Sequence, residues 1–223
     1  MPNIDFALLG AEAEPFAASP TLAFKLRIRN QAGQEPQAVP PEEREDEPIE
    51  AMLLHCQLHI EPRWRSYDPA TQERLRDLFG PPQRWGDTLR SLLWARVNLT
   101  VPAFRGEVTL PLPVPCSYDL EVAASKYFHA LPDGYVQLTA LFSGSIFSGG
   151  QVQPVPWDKE AHYRLPVRLW QEAMDRHFPN SAWLRVQRDV FDRLCLYRSR
   201  RALPSWEQVF EELLAPTSDE VPA

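Results

Sequence analysis

A chain of 223 residues, 44% of them hydrophobic, is long enough to bury one large core or two small ones. Its formal net charge of -7 at pH 7 argues against a dedicated nucleic-acid binder, which needs a basic face to displace counterions from phosphates. Cys56, Cys116 and Cys195 are odd in number and widely scattered, so they suggest no disulfide framework and read as thiols in a reducing cytoplasm.

No apolar run reaches the ~18 residues that cross a bilayer. The opening "MPNIDFALLGAEAEPF" carries acids where a secretory signal carries bases, so the expectation is a cytoplasmic protein without membrane contact. Proline is over-used, with 23 residues against 9 glycines, about twice the ordinary ~5%. The prolines punctuate stretches such as "VTLPLPVPC" and "VQPVPW". Lacking an N–H, proline is tolerated at sheet edges and strand ends rather than in central ladders, which predicts a β-rich body with interrupted edges.

"TLAFKLRIRN" alternates Leu22, Phe24, Leu26 and Ile28 with Lys25, Arg27 and Arg29, the period of a half-buried strand. Residues 31–48 are acidic and proline-rich and predict a loop, or an acidic docking arm. "MLLHCQLHI" then sets Leu54, Cys56, Leu58 and Ile60 against His55, Gln57 and His59. On a helix the two histidines would resemble half a zinc site. On a strand they stand roughly 13 Å apart, too far to share an ion held at ~2 Å. The strand reading is preferred, and neither a metal site nor a cofactor is expected.

Residues 68–93 predict a short helical insertion. Asp68 and Pro69 supply a start, Gly80 a stop, and a second turn places Leu89, Leu92 and Leu93 inward. Strands follow at "WARVNLTV", "EVTLPLPV", "SYDLEVAA" and "GYVQLTALFSGSIFSGG", the last with Gly144 as a kink or bulge. "QVQPVPW" reads as an edge. From residue 161 to 215 the spacing turns helical. Val167, Trp170, Met174 and Phe178 form one stripe, and Trp183, Val186, Val190, Leu194 and Tyr197 another, capped by Asn180 or Ser181. Ser205 with Gln208 opens a third helix, and 216–223 reads as a tail. Strands first and helices last predict an α+β protein: an antiparallel sheet or β-sandwich body (1–160) followed by about three helices packed on the same core.

The common catalytic signatures are absent: no GxGxxG, P-loop, HExxH or CxxC. No catalytic residue is assigned. A hydrolase or thiol-dependent enzyme using the Cys116–His129 region is the enzymatic alternative, and a metal-handling protein is the third reading. "CSYDLEVAASKYFHALPDG" is the densest polar–aromatic segment; Tyr118, Asp119, Lys126 and Tyr127 could line a pocket, or Lys126 could pair with Asp119 or Glu121. Trp64, Trp85 and Trp157, at loop or strand ends, are the tryptophans expected at a partner surface. Charge is segregated between acids at 35–50 and arginines at 185–201; each run reads as a solvated face, and the alternatives are pairing between them within a subunit or across a homodimer, or an acidic partner docking on the arginines.

Pro102, Phe104 and Gly106, Pro113 to Leu120, Lys126 with Tyr127, Phe142 to Gly144, and Pro156 with Trp157 together resemble a bacterial family known only as a domain of unknown function. Its members are often encoded in gene clusters for uptake [NiFe]-hydrogenases. The resemblance covers most of the chain and is weakest over the acidic loop. It implies a cytoplasmic accessory, assembly or maturation factor whose partner is a hydrogenase subunit or maturation factor, and it supplies no catalytic residues. The element order also resembles that of the export chaperone family, a likeness that by itself gives no function.

Overall fold

The computed structural model describes residues 3–31, 48–181 and 183–215; the acidic loop between residues 31 and 48 and the tail at 216–223 lie outside them. The protein is α+β, and it divides into two compact units at the Trp183/Leu184 boundary. No helix among the described residues is long and apolar enough to cross a membrane.

The first unit is built on two antiparallel sheets. One has the order β1 (Ile4–Ala13), β2 (Thr21–Asn30), β5 (Glu107–Pro115). The other runs β4 (Leu92–Val101), β3 (Ile49–Ile60), β6 (Tyr135–Ser148), β7 (Gln151–Pro154). A further strand, β8 (Glu160–Pro166), also pairs with β6, opposite Tyr135–Leu141, while β7 takes Ser145–Ser148. The alternation that predicted β2 and β3 is what fills the core. Leu22, Phe24, Leu26 and Ile28 are buried, as are Met52, Leu54, Cys56, Leu58 and Ile60. The two sheets meet through aromatic rings: Phe6 of β1 stacks on Phe142 of β6 at 4.3 Å, and Phe24 of β2 meets Trp94 of β4 and Tyr163 of β8 edge-on.

Proline placement explains where one sheet ends. Pro111, Pro113 and Pro115 occupy alternate positions of β5, opposite Lys25, Ala23 and Thr21 of β2. Alternate residues of an antiparallel strand turn their backbone groups the same way. Leu110, Leu112 and Val114 therefore keep the ladder to β2, and the outer side of β5 has no N–H to offer at the prolines.

Gly144 is not a bulge. The pairing of β3 with β6 runs without a break through Leu54↔Gly144. The residue has φ +142°, and a Cβ there would lie 2.0 Å from the Leu53 carbonyl oxygen; glycine is present because the strands approach too closely for any side chain.

Four expectations change. Leu92 and Leu93, expected in a helical turn, open strand β4 instead. Leu93 is 41% exposed because the β3–β4 register shifts between Leu58 and His59, which turns following side chains to the other face. Residues 117–122 form a turn rather than a strand. Asp119 accepts a bond from the Glu121 N–H at 2.9 Å, and Ser117 Oγ accepts from the Asp119 N–H at 3.1 Å; such local bonds compete with a ladder. The strand β8 occupies 160–166, where the helical segment was expected to begin. Trp183 and Val186 precede their helix, since Asn180 adopts φ +50° and the Trp183 ring packs on Phe178 at 5.9 Å.

Two helices of the first unit flank the sheets: α4 (Ala123–Ala130) and α5 (Val167–His177). Between β3 and β4 lie α1 (Pro69–Arg74), α2 (Arg76–Phe79) and α3 (Trp85–Thr88). Asp68 caps α1 as predicted, accepting from the Thr71 N–H at 3.0 Å and from its hydroxyl. Those bonds hold its carboxyl below the usual carboxylate range, the Thr71 side-chain bond being the largest cause. A group whose folded pKa is depressed contributes stability above its unfolded pKa and loses it as pH falls through the folded value. Asp68→Ala should thus lower the thermal midpoint at pH 7, with the gap from wild type closing in acid. Asp68→Asn should retain the cap and lose the acid dependence. Thermal melts between pH 7 and pH 2 check both.

The second unit consists of α6 (Arg188–Arg200) and α7 (Trp206–Leu214). Ser205 caps α7 by accepting from the Gln208 N–H at 3.2 Å. Arg198 lies over the Trp206 ring at 5.0 Å and donates to the Leu203 and Pro204 carbonyls, and Arg201 pairs with Glu212 at 2.9 Å.

Candidate protein-binding surface

Strand β3 ends at Ile60, and Pro62–Trp64 forms a single 3-10 turn. The short run Arg63-Trp64-Arg65 then does three things. Arg63 donates to the Gly86 carbonyl of α3 and to the Leu89 carbonyl just after it, before β4. Arg65 donates to the Asp133 carbonyl at 2.7 Å, on the loop before β6, and to the Tyr135 carbonyl at 3.1 Å, at the start of β6. Between these anchors the Trp64 indole stands 78% exposed. Two guanidinium groups, each tied to two backbone oxygens, hold the turn in place on both sides of the ring.

Beside Trp64 lies a shallow open cavity of about 280 Å³, lined also by Arg65, Ser66, Tyr135, Gln137 and Arg164. Gln137 and Arg164 face each other in the β6–β8 register. The Arg164 guanidinium sits 4.8 Å from the Tyr135 ring centre, and Tyr135 is itself half exposed. Two rings and two cations thus border one depression. Such a surface suits an apolar or aromatic side chain next to a carboxylate, since arginine pairs with carboxylate in a planar, two-pronged geometry and tryptophan supplies a large rigid contact.

The predicted residues scatter around this point. Trp64 is in it. Trp85 is buried, with its indole N–H donating to the Gly80 carbonyl at 2.8 Å. Tyr127 is also buried, its hydroxyl 2.7 Å from that of Tyr67, which in turn donates to the Pro62 carbonyl at 2.7 Å. Burial, then the neighbouring Tyr67, drives the Tyr127 phenol far above its ordinary value, and burial raises Tyr67 as well; both stay neutral and have no acid–base use. Tyr127, buried, and Tyr67, half-buried, support the 3-10 turn through the bond to the Pro62 carbonyl. Lys126 pairs with Asp77 at 2.6 Å rather than with Asp119 or Glu121, and that bond raises its pKa. Asp119 spends its carboxylate on the turn before α4. Tyr118 lines a separate cleft of about 360 Å³ with Arg74, His129, Gln171 and Asp175, and its hydroxyl donates to the Ser181 carbonyl. Trp157 is 94% exposed but lies beyond the Leu141 end of the β6–β8 pairing, away from Tyr135.

Chemistry elsewhere is weak. Burial pushes the Cys56 and Cys116 thiols up to about 12, so both are un-ionised at neutral pH, the wrong state for a nucleophile. His55 and His59 point outward from β3 and bond separately to Asn98 at 2.7 Å and Ser91 at 3.2 Å. No three His, Cys, Asp or Glu side chains among the described residues are grouped to hold a metal ion.

Arg63, Arg65, Tyr135 and Arg164 were missed by sequence reasoning. The tripeptide Arg63-Trp64-Arg65 was the available signal, two cations bracketing a tryptophan just after a strand. Its carbonyl partners lie 23 to 70 residues away and leave no local trace.

The fold and surface define an α+β protein with two antiparallel sheets and an aromatic, cationic depression at the end of β3. The chain belongs to the family of unknown function DUF6084, whose model matches residues 1–222. No curated protein matches it.

Proposed function

We propose that the protein is a non-enzymatic accessory protein, of the chaperone or adaptor kind, that binds another protein through the Trp64 depression. The observation that supports this reading is Trp64 itself, an indole largely exposed and braced on both sides by anchored arginines. Binding energy concentrates in rigid aromatic and arginine anchors, and an anchor already fixed loses little entropy on docking. The likeness to a family found in [NiFe]-hydrogenase gene clusters supplies the partner class, a hydrogenase subunit or maturation factor, and the cytoplasm as the compartment. The partner segment should present an apolar side chain beside an acid.

Purified hydrogenase subunits and maturation factors, titrated against the labelled protein in low salt, test the proposal. Binding is expected with one of them. Trp64→Ala should weaken it by about 30-fold, equivalent to ~2 kcal/mol at a central anchor, and Arg164→Glu should weaken it and reduce its salt dependence. Absence of binding across the panel would remove the hydrogenase assignment. Binding that Trp64→Ala and Arg164→Glu leave unchanged would remove the site.

A further inference from the structure

Between α4 and α5 the first unit carries a cleft of about 360 Å³, at the lower end of the ~300–1,000 Å³ range of small-molecule sites. Its apolar lining includes Phe128, Trp170 and Met174, all three buried. Phe128 and Trp170 stack at 5.4 Å and 9°, which fixes that lining in place before any ligand arrives. Tyr118 lines the cleft as well. Its ring packs on Phe178 at 5.0 Å and its hydroxyl donates to the Ser181 carbonyl, so it brings the cleft apolar surface rather than a donor.

Charges of both signs border this lining without meeting. Arg74, at the end of α1, and His129 of α4 line the cleft together with Asp175 of α5. Among the described residues Asp175 and His129 hold no hydrogen bond and no ion pair, and Arg74 has only a 3.4 Å contact with the Thr71 hydroxyl. Elsewhere the protein neutralises such groups, Lys126 with Asp77 at 2.6 Å and Arg29 with Glu107 at 2.7 Å. On α5 the pairs Trp170/Met174 and Gln171/Asp175 are each four residues apart, so an apolar row and a polar row run side by side along the helix. Gln171 is turned to the Leu131 and Pro132 carbonyls. Asp175 is left as the free acceptor on the α5 side, with Arg74 and His129 as donors on the side of α1 and α4.

The geometry points to a binding site for a small zwitterion with an apolar side chain, the chemistry shared by amino acids and short peptides. The ligand carboxylate pairs with the Arg74 guanidinium, which can engage both oxygens at once, and takes a further N–H from His129. The ligand ammonium goes to Asp175, and the apolar side chain lies against Trp170 and Met174. A simple anion would leave Asp175 as a like charge beside it, and a simple cation would face Arg74. A ligand carrying both charges satisfies both ends. The cleft shares no lining residue with the Trp64 depression.

Calorimetric titration of the full chain with L-phenylalanine, L-methionine and a dipeptide of the two tests the site. Saturable binding is expected with at least one of them, at or below about 1 mM. Tighter binding of the dipeptide assigns the site to peptides, and tighter binding of a single residue assigns it to free amino acids. The deamino and decarboxy analogues of the probe that binds each lack one charge. Each should bind about tenfold to a hundredfold more weakly, the effect of one hydrogen bond to a charged group. Asp175→Asn should weaken the zwitterion by a similar factor and leave the deamino analogue unchanged; Arg74→Gln should do the same with respect to the decarboxy analogue. Both side chains are exposed, and both variants should keep the circular dichroism of the wild type. No saturation by any probe up to about 10 mM overturns the inference. So does a deamino analogue that binds as tightly as its parent, or binding that both variants leave unchanged. Trp64→Ala should not alter this binding, so failure here leaves the protein-binding surface standing.

Discussion

Gly144→Ala is expected to cost about 4 kcal/mol or more, enough to leave a domain of ordinary stability largely unfolded. Two costs add. The residue sits at φ +142°, a backbone region that side chains disfavour. The added carbon would also fall 2.0 Å from the Leu53 carbonyl oxygen and 3.2 Å from the Leu54 Cα. Neither atom is the tip of a flexible side chain; both belong to the backbone of β3, the central strand of its sheet. Relief requires β3 and β6 to separate and their ladder to break. Gly150→Ala isolates the first cost. Gly150 also has a positive φ, +68°, but nothing lies within 4 Å of its would-be Cβ, so only about 1 kcal/mol should be lost. Urea unfolding followed by circular dichroism compares the two. Equal midpoints for the two variants would show that the close strand approach has no energetic weight.

Phe128→Ala should cost about 3–5 kcal/mol. Phe128 is fully buried on α4, with Trp94 of β4 at 5.0 Å and Trp170 of α5 stacked on it at 5.4 Å and 9°. It is the ring that joins two helices to the sheet. Truncation opens a void lined by aromatic faces that cannot collapse far, because interiors are close-packed. A double-mutant cycle with Trp170→Ala should give a coupling of about 0.5–1.5 kcal/mol, the usual extra value of a ring pair. Phe128→Leu, which fills part of the void, should lie well above the alanine variant in stability. A loss below about 1 kcal/mol for Phe128→Ala, in the same unfolding assay, would mean the helices do not depend on this ring.

The strands were the legible part of the fold. Leu22 to Ile28 and Leu54 to Ile60 each repeat every second residue, and a pleated backbone converts that period directly into an inner and an outer face. Caps at Asp68 and Ser205 were equally legible, since both are local bonds. Legibility failed wherever a distant partner decided the outcome. Trp183 continued a helical spacing on paper, but Phe178 holds it outside the helix. Leu93 followed the apolar pattern of its neighbours until a register shift reversed it. Trp85 and Trp64 looked alike as loop-end tryptophans; only the acceptor at Gly80 and the anchored arginines separate the buried ring from the displayed one. The candidate surface is thus half visible in sequence, in the tripeptide around Trp64, and half invisible, in Tyr135 and Arg164.

The alternating prolines of β5 bear on how any visitor can dock. An extended peptide that adds itself to a sheet does so by exchanging main-chain donors and acceptors with the rim. Along Pro111, Pro113 and Pro115 half of that exchange is chemically impossible, so fibril seeding and strand swapping are both discouraged at this border. Recognition by this side of the molecule is left to side chains, and selectivity there comes from shape and charge rather than from generic backbone pairing.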